Sequence, residues 1–109
     1  MKFRKDARAG EFWSVNTKRE KGHKGLIAKR KSNGNIEVII STHSQYTRGR
    51  KNIKLQENPQ ANDFRDSYVL SKLSHTNIKH LGKHHPEMKI KNKTDKSIVR
   101  KIKSKNKKR

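Results

Sequence analysis

The sequence contains no cysteine, which removes disulfides and thiolate metal ligands together. It has only two prolines, 6% aromatic residues and nine acidic side chains. Ile, Leu, Val and Phe make up 21 of its 109 residues. That is the edge at which a highly charged chain still buries enough apolar surface to offset its conformational entropy. A large core around a deep cofactor cavity is excluded, whereas one small folded unit with solvated ends is not. No run has the length and apolarity of a membrane-spanning helix. No apolar segment follows the basic N-terminus to form a secretory signal. The expectation is a soluble, cytoplasmic chain with no membrane partner.

What is abundant is positive charge. Lys and Arg number 30, giving a formal net charge of +21. Such a surface repels itself unless counterions or a polyanion neutralise it, which points to nucleic acid before any other partner. Residues 93–109 hold nine basic side chains and one Asp, a net +8, which leaves +13 on the rest. The charge is therefore not confined to a tail.

Apolar residues gather in short runs. Residues 11–16 follow Gly10 and read as a strand, and the hydrophilic stretch 17–25 reads as a polar loop. Residues 26–28 lead through Lys29-Arg30-Lys31 to Ser32-Asn33-Gly34-Asn35. An Asn-Gly pair between two extended runs signals a hairpin, because both residues tolerate positive φ. Residues 36–42 are β-branched almost throughout and form the clearest strand. Residues 47–51 read as a basic loop, 52–55 as a short strand, and 58–63 as a turn. Residues 67–70 form another strand, which 71–74 extend. About five short strands at this spacing make a small all-β barrel or sandwich.

The expected core is Phe12 or Trp13, with Val15, Ile27, Val38, Ile40, Ile53, Leu55 and Val69. Alternation of Ile36, Val38 and Ile40 sets the inward face, which leaves Ile39 for a loop or a dimer interface. Phe12 and Trp13 alternate, so one of them faces outward, where an aromatic among cations can stack a base. Near the C-terminus, Thr94 reads as the N-cap of a short helix with Asp95 in its first turn. Ile98, Val99 and Ile102 then share a face that can dock. The resulting division is a basic arm over 1–9, the barrel with its helix over 10–103, and a basic tail over 104–109.

In element order the chain resembles the MazF/PemK-like toxin family. The resemblance rests on Gly10-Glu11-Phe12-Trp13-Ser14-Val15-Asn16, a polar glycine loop, and the β-rich strand ending in Thr42. It continues in Asp66-Ser67-Tyr68-Val69-Leu70, in Lys79-His80-Leu81-Gly82-Lys83 and in the helix around Ile98 to Ile102. It implies an SH3-like barrel and a homodimeric endoribonuclease that needs no metal and is neutralised by an acidic antitoxin-like protein. The family commonly carries an Arg-Pro pair before its second strand. Gly22-His23-Lys24-Gly25 stands there instead, with His23 available for acid–base work in place of arginine.

Metal-free RNA cleavage needs one proton removed from the ribose 2′-OH, another donated to the leaving oxygen, and phosphate charge stabilised. His23 and His43 are the proton-transfer candidates, since an unperturbed imidazole titrates near neutrality. Thr42 can hydrogen-bond a phosphate oxygen or the ribose. Lys24, Lys29, Arg30, Lys31, Arg48, Arg50 and Lys51 are the candidate nucleic-acid contacts. RNA is the expected polyanion, with DNA as the alternative. A non-catalytic RNA or DNA binder, or a ribonucleoprotein component on the same barrel, is the rival to the nuclease.

Arg65-Asp66 reads as a local ion pair closing a turn. His75, His80, His84 and His85 read as solvated histidines, not metal ligands, because a structural zinc site takes four well-placed ligands. No phosphate-loop or dinucleotide-binding motif is present, so no cofactor is expected.

Overall fold

The run of β-branched residues after Asn35 becomes the strand on which the fold is assembled. The computed structural model describes residues 2–16 and 21–107. In chain order the strands are β1 (Phe12–Asn16), β2 (Lys21–Arg30), β3 (Asn35–Thr42), β4 (Tyr46–Thr47), β5 (Arg50–Lys51), β6 (Ile53–Lys54), β7 (Tyr68–Val69), β8 (Ser74–Asn77) and β9 (Leu81–His84). One helix, α1 (Lys93–Lys107), follows them. The chain is thus mainly β with a C-terminal helix, the class expected from its sequence.

All pairings are antiparallel. One edge of β3 pairs with β2, from Lys24↔Ser41 to Arg30↔Ile36. Its other edge is divided. The first half pairs with β8 (Asn35↔Asn77 to Val38↔Ser74), and the end pairs with β7 (Ser41↔Val69, Thr42↔Tyr68). The strand path is β6-β7-β3-β2-β1-β9, with β8 attached to β3. No pairing among the described residues joins its two ends.

The β2–β3 turn shows how the sequence sets the register. The Lys31 carbonyl accepts the Gly34 N–H at 3.0 Å, and the Lys31 N–H donates to the Asn35 carbonyl at 2.9 Å. Gly34 has φ +91°, while Asn33 does not enter the positive-φ region. This is a three-residue turn closed by a glycine bulge, not a turn with two left-handed residues. The Asn33 side chain accepts the Asn35 N–H instead.

Two core layers form on opposite faces of β1, β2 and β3. Ile36, Val38 and Ile40 pack with Trp13, Val15, Ile27, Leu70 and Leu81 on one face. Ile39 packs on the other with Phe12, Leu26, Leu55, Val69 and Met88, together with Val99 and Ile102 of the helix. A strand buried on both faces has no need of polar alternation, which accounts for the unbroken Val38-Ile39-Ile40 run. Ile39 lies beneath the helix. Both Phe12 and Trp13 are buried, so neither is an outward stacking platform.

The structure corrects several expectations. Residues 21–25, expected in a loop, belong to β2; they pair with β1, and Lys24 and Gly25 pair with β3 as well. The polarity that suggested a loop is carried by side chains, whereas the pairing uses backbone. Gly25 lets this strand into the sheet: a Cβ there would stand 2.3 Å from Val38 Cγ1 and 3.1 Å from Val15 Cγ2. The rest of the expected loop, residues 17–20, lies outside the described residues. The expected basic loop over 47–51 is a small hairpin, β4–β5, turning through Arg48 (φ +49°) and Gly49 (φ +76°). Residues 71–74 do not extend β7; the chain bends there and starts β8 on the other half of β3.

At the helix start, Asn92 is the cap and Thr94 is exposed. Asn92 Oδ1 accepts the Asp95 N–H at 2.8 Å. Asp95 is buried, and its carboxylate accepts the backbone N–H groups of Gln56 (2.8 Å) and Glu57 (3.1 Å), which ties the helix to the segment after β6. The helix runs on to Lys107, so most of the expected tail is helical, and its last two residues lie outside the described residues.

Gly25→Ala is expected to lower stability by about 1–3 kcal/mol through overpacking. In denaturant unfolding, Val38→Ala in the same chain should remove part of that cost, so the double variant loses less than the sum of the singles. Strictly additive losses would contradict this close approach.

Candidate functional site

A polar cleft opens where β2 and β3 end together. At this end of β2, Gly22 takes φ +75°, and its N–H donates to Asn16 Oδ1 at 3.0 Å. The β1–β2 register shifts at Val15/Asn16, so the pairing is irregular beside the cleft. The cleft holds about 310 Å³. Its walls are His23 and Lys24 from β2, Ser41, Thr42, His43 and Ser44 from β3 and its exit, and Asn58, Gln60 and Asp63 from the connection to β7. Met88 adds an apolar surface.

These groups are held in place. Lys24 Nζ donates to Gln60 Oε1 at 2.7 Å, and the Gln60 N–H donates to Asn58 Oδ1 at 2.9 Å. Thr42 Oγ1 accepts the Ser44 N–H at 3.2 Å. His43 Nδ1 lies 2.9 Å from the Asp66 carbonyl, which can only accept, so this nitrogen carries the proton. In the neutral ring, Nε2 is then the acceptor. Asp63 is gripped by Arg65 at 3.0 and 2.8 Å. That guanidinium holds the Asp63 carboxyl well below the usual range, so the cleft keeps one anion. Arg65 therefore pairs with Asp63, not with Asp66, whose carboxylate lies 3.7 Å from Lys54 Nζ.

His23, Lys24, Thr42 and His43 thus share one cleft. The other candidate cations lie elsewhere. Lys29, Arg30 and Lys31 occupy the opposite end of β2–β3, about 20 Å along the strand from Lys24 at the usual rise per residue. There Arg30 Nη1 donates to the carbonyls of Lys5 (3.1 Å) and Ala7 (3.0 Å), so its guanidinium holds the N-terminal segment over the core. Arg48, Arg50 and Lys51 lie on the β4–β5 hairpin. Asn52 anchors this hairpin to the cleft's rim by donating to the Ser44 carbonyl at 3.0 Å and Thr47 Oγ1 at 2.8 Å.

The four late histidines do not behave alike. His84 stacks on Trp13, with ring centroids 4.9 Å apart. His75 and His80 line a separate groove against Lys31 and Asn35. His85 is buried, correcting its reading as solvated, and its Nε2 hydrogen-bonds Ser14 Oγ at 2.8 Å. Desolvation pushes its imidazole below the ordinary value, and Lys24 adds to this against the opposing Glu87. Among the described residues, no three His, Asp or Glu side chains gather as a metal site.

Sequence reasoning missed Asn58, Gln60 and Asp63, whose turn chemistry gave no sign of the surface they would meet. It also sought the exposed aromatic in β1, whereas the exposed large apolar side chains are Phe3, Tyr46 and Phe64. No helix is long and apolar enough to cross a membrane among the described residues. No protein-family model matches this chain, and no curated protein matches it by sequence.

Burial of His85 has a consequence for stability. Its folded pKa lies below the unfolded value near 6.5, so between the two the unfolded chain binds more protons. The stabilisation is complete above pH about 6.5 and is lost as pH falls through the folded value. Thermal unfolding from pH 7.5 to 5 should show a falling Tm, with a shallower fall in His85→Gln. An identical slope in that variant would contradict the assignment.

Proposed function

We propose that this chain is an RNA-binding protein whose cleft cleaves RNA without a metal, as the resemblance to MazF/PemK-like toxins implies. The observation supporting this most is that His23, Thr42 and His43, chosen for their chemistry, line one cleft together with Lys24. The +21 charge supplies attraction for the substrate.

In this mechanism, neutral His43 accepts the ribose 2′-OH proton at Nε2 while the 2′-oxygen attacks the adjacent phosphorus. Protonated His23 gives its proton to the departing 5′-oxygen. Lys24 and the Thr42 hydroxyl stabilise charge on the non-bridging oxygens. The products are a 2′,3′-cyclic phosphate and a 5′-hydroxyl. DNA lacks the nucleophile and would be bound uncut.

A second reading, a binder without catalysis, draws on the basic groups at Lys29–Lys31, at the opposite end of β2–β3 from the cleft, and on the basic side chains of the helix. On the resemblance we also propose a homodimer and an acidic antitoxin-like partner, whose carboxylates would occupy the phosphate-binding surface. A cytoplasmic location belongs to the same proposal.

The test incubates the purified chain with a long RNA in EDTA. Cleavage should leave cyclic-phosphate and 5′-hydroxyl ends, and His43→Ala should slow it by about 10²- to 10⁴-fold while still binding RNA. Affinity should fall linearly on a log–log plot against salt. Tight binding with RNA intact across buffers would select the non-catalytic binder, and salt-insensitive binding would remove both readings.

A further inference from the structure

We propose that the groove beside the cleft is a nucleotide subsite. One unpaired base of an RNA strand stacks there on Tyr46, with its phosphate against Lys51 and Lys54. This rests on the RNA-binding reading above but not on catalysis. The groove holds about 660 Å³, within the range of small-ligand sites, and runs between the β4–β5 hairpin, β6 and β7.

Three observations bear on its occupant. Tyr46 is 59% exposed although the chain has few aromatic residues and buries both aromatics of β1. Directly opposite residues of an antiparallel pair lie on one face, and Tyr46 pairs with Lys51, so both side chains lie on the face that lines the groove. Lys54 also lines the groove, whereas Asp66 is its single carboxylate and is itself paired with Lys54. An aromatic face rimmed by cations is the recurrent platform for single-stranded nucleic acid.

The subsite adjoins the cleft through a common wall. The Asp66 carbonyl accepts the His43 Nδ1 proton, and Asp66 lines the groove. Only Ser44 and Gln45 separate His43 from Tyr46. In this proposal a strand that enters the cleft at His43 continues past Asp66 into the groove at Tyr46. The ribbon carrying Tyr46 is preformed: Arg48 and Gly49 both take positive φ, the turn that matches strand twist.

The experiment measures binding of the full chain by fluorescence anisotropy. The probes are a 2′-O-methyl oligoribonucleotide, which cannot be cleaved by 2′-OH attack, a duplex of equal length, and oligoglutamate. Tyr46→Ala should weaken single-strand binding by about 5- to 150-fold, the effect of losing one base–aromatic stack. Duplex binding and the salt slope should not change, and Tyr46→Trp should retain affinity. Lys54→Ala should instead reduce the salt slope by about 1.

Wild-type affinity in Tyr46→Ala overturns the subsite alone. An equal loss on the duplex, or on oligoglutamate, overturns it in favour of a general anionic or acidic-peptide surface. If the wild type binds no nucleic acid, the subsite and the functional reading fall together. If RNA is bound but never cut and Tyr46→Ala still weakens binding, only catalysis falls.

Discussion

Everything in this molecule depends on β3 being hydrogen-bonded along both edges and buried on both faces. Eight residues hold β2 on one side, β7 and β8 on the other, and contribute Ile36, Val38, Ile39 and Ile40 to two separate core layers. A chain with so little apolar surface cannot build a thick core. It concentrates what it has on one strand and covers each side with side chains from distant segments. The helix is part of that cover, because Val99 and Ile102 close the layer around Ile39.

The same constraint places the cleft. β3 leaves its apolar layers at Ser41 and Thr42, where β2 has already become polar at His23 and Lys24. The connection between β6 and β7 folds over this end and is fixed by Asp95 from one side and by the bond between Lys24 and Gln60 from the other. Imidazole, hydroxyl and ammonium groups are therefore gathered at an end of the sheet where they remain partly solvated. That placement avoids the cost of burying charge without a partner.

What was legible in the sequence was local. The turn at Asn33-Gly34, the β-branched run of β3, the turn over 58–63 and the docking face of the helix each carry their own chemistry, and each was identified. Strands β8 and β9 were not, because residues such as Ser74, His75 and Lys83 pair only where β3 and β1 offer free backbone edges. The first half of β2 was hidden for the same reason, since its hydrophilic side chains concealed a backbone paired with β1 and, from Lys24 onward, with β3 as well. In the cleft, His23, Thr42 and His43 could be found as reactive types at strand ends. Gln60, Asn58 and Asp63 could not, because long-range folding brings them there. The burial of His85 was equally invisible, since its partner Ser14 lies 71 positions away.

The charge distribution separates two tasks that the net figure merges. Arg30 stabilises the N-terminal segment, whereas Lys24 faces the cleft and Lys51 and Lys54 face the groove. The central claim is that RNA meets the protein at the end of β3. A titration of the ¹⁵N-labelled chain with a single-stranded, 2′-O-methyl RNA tests it most directly. The account predicts amide shifts concentrated at His23, Lys24, Thr42, His43 and Tyr46. Shifts confined to the hairpin at Lys29–Ser32 and the outer face of the helix, with the cleft unmoved, would contradict it.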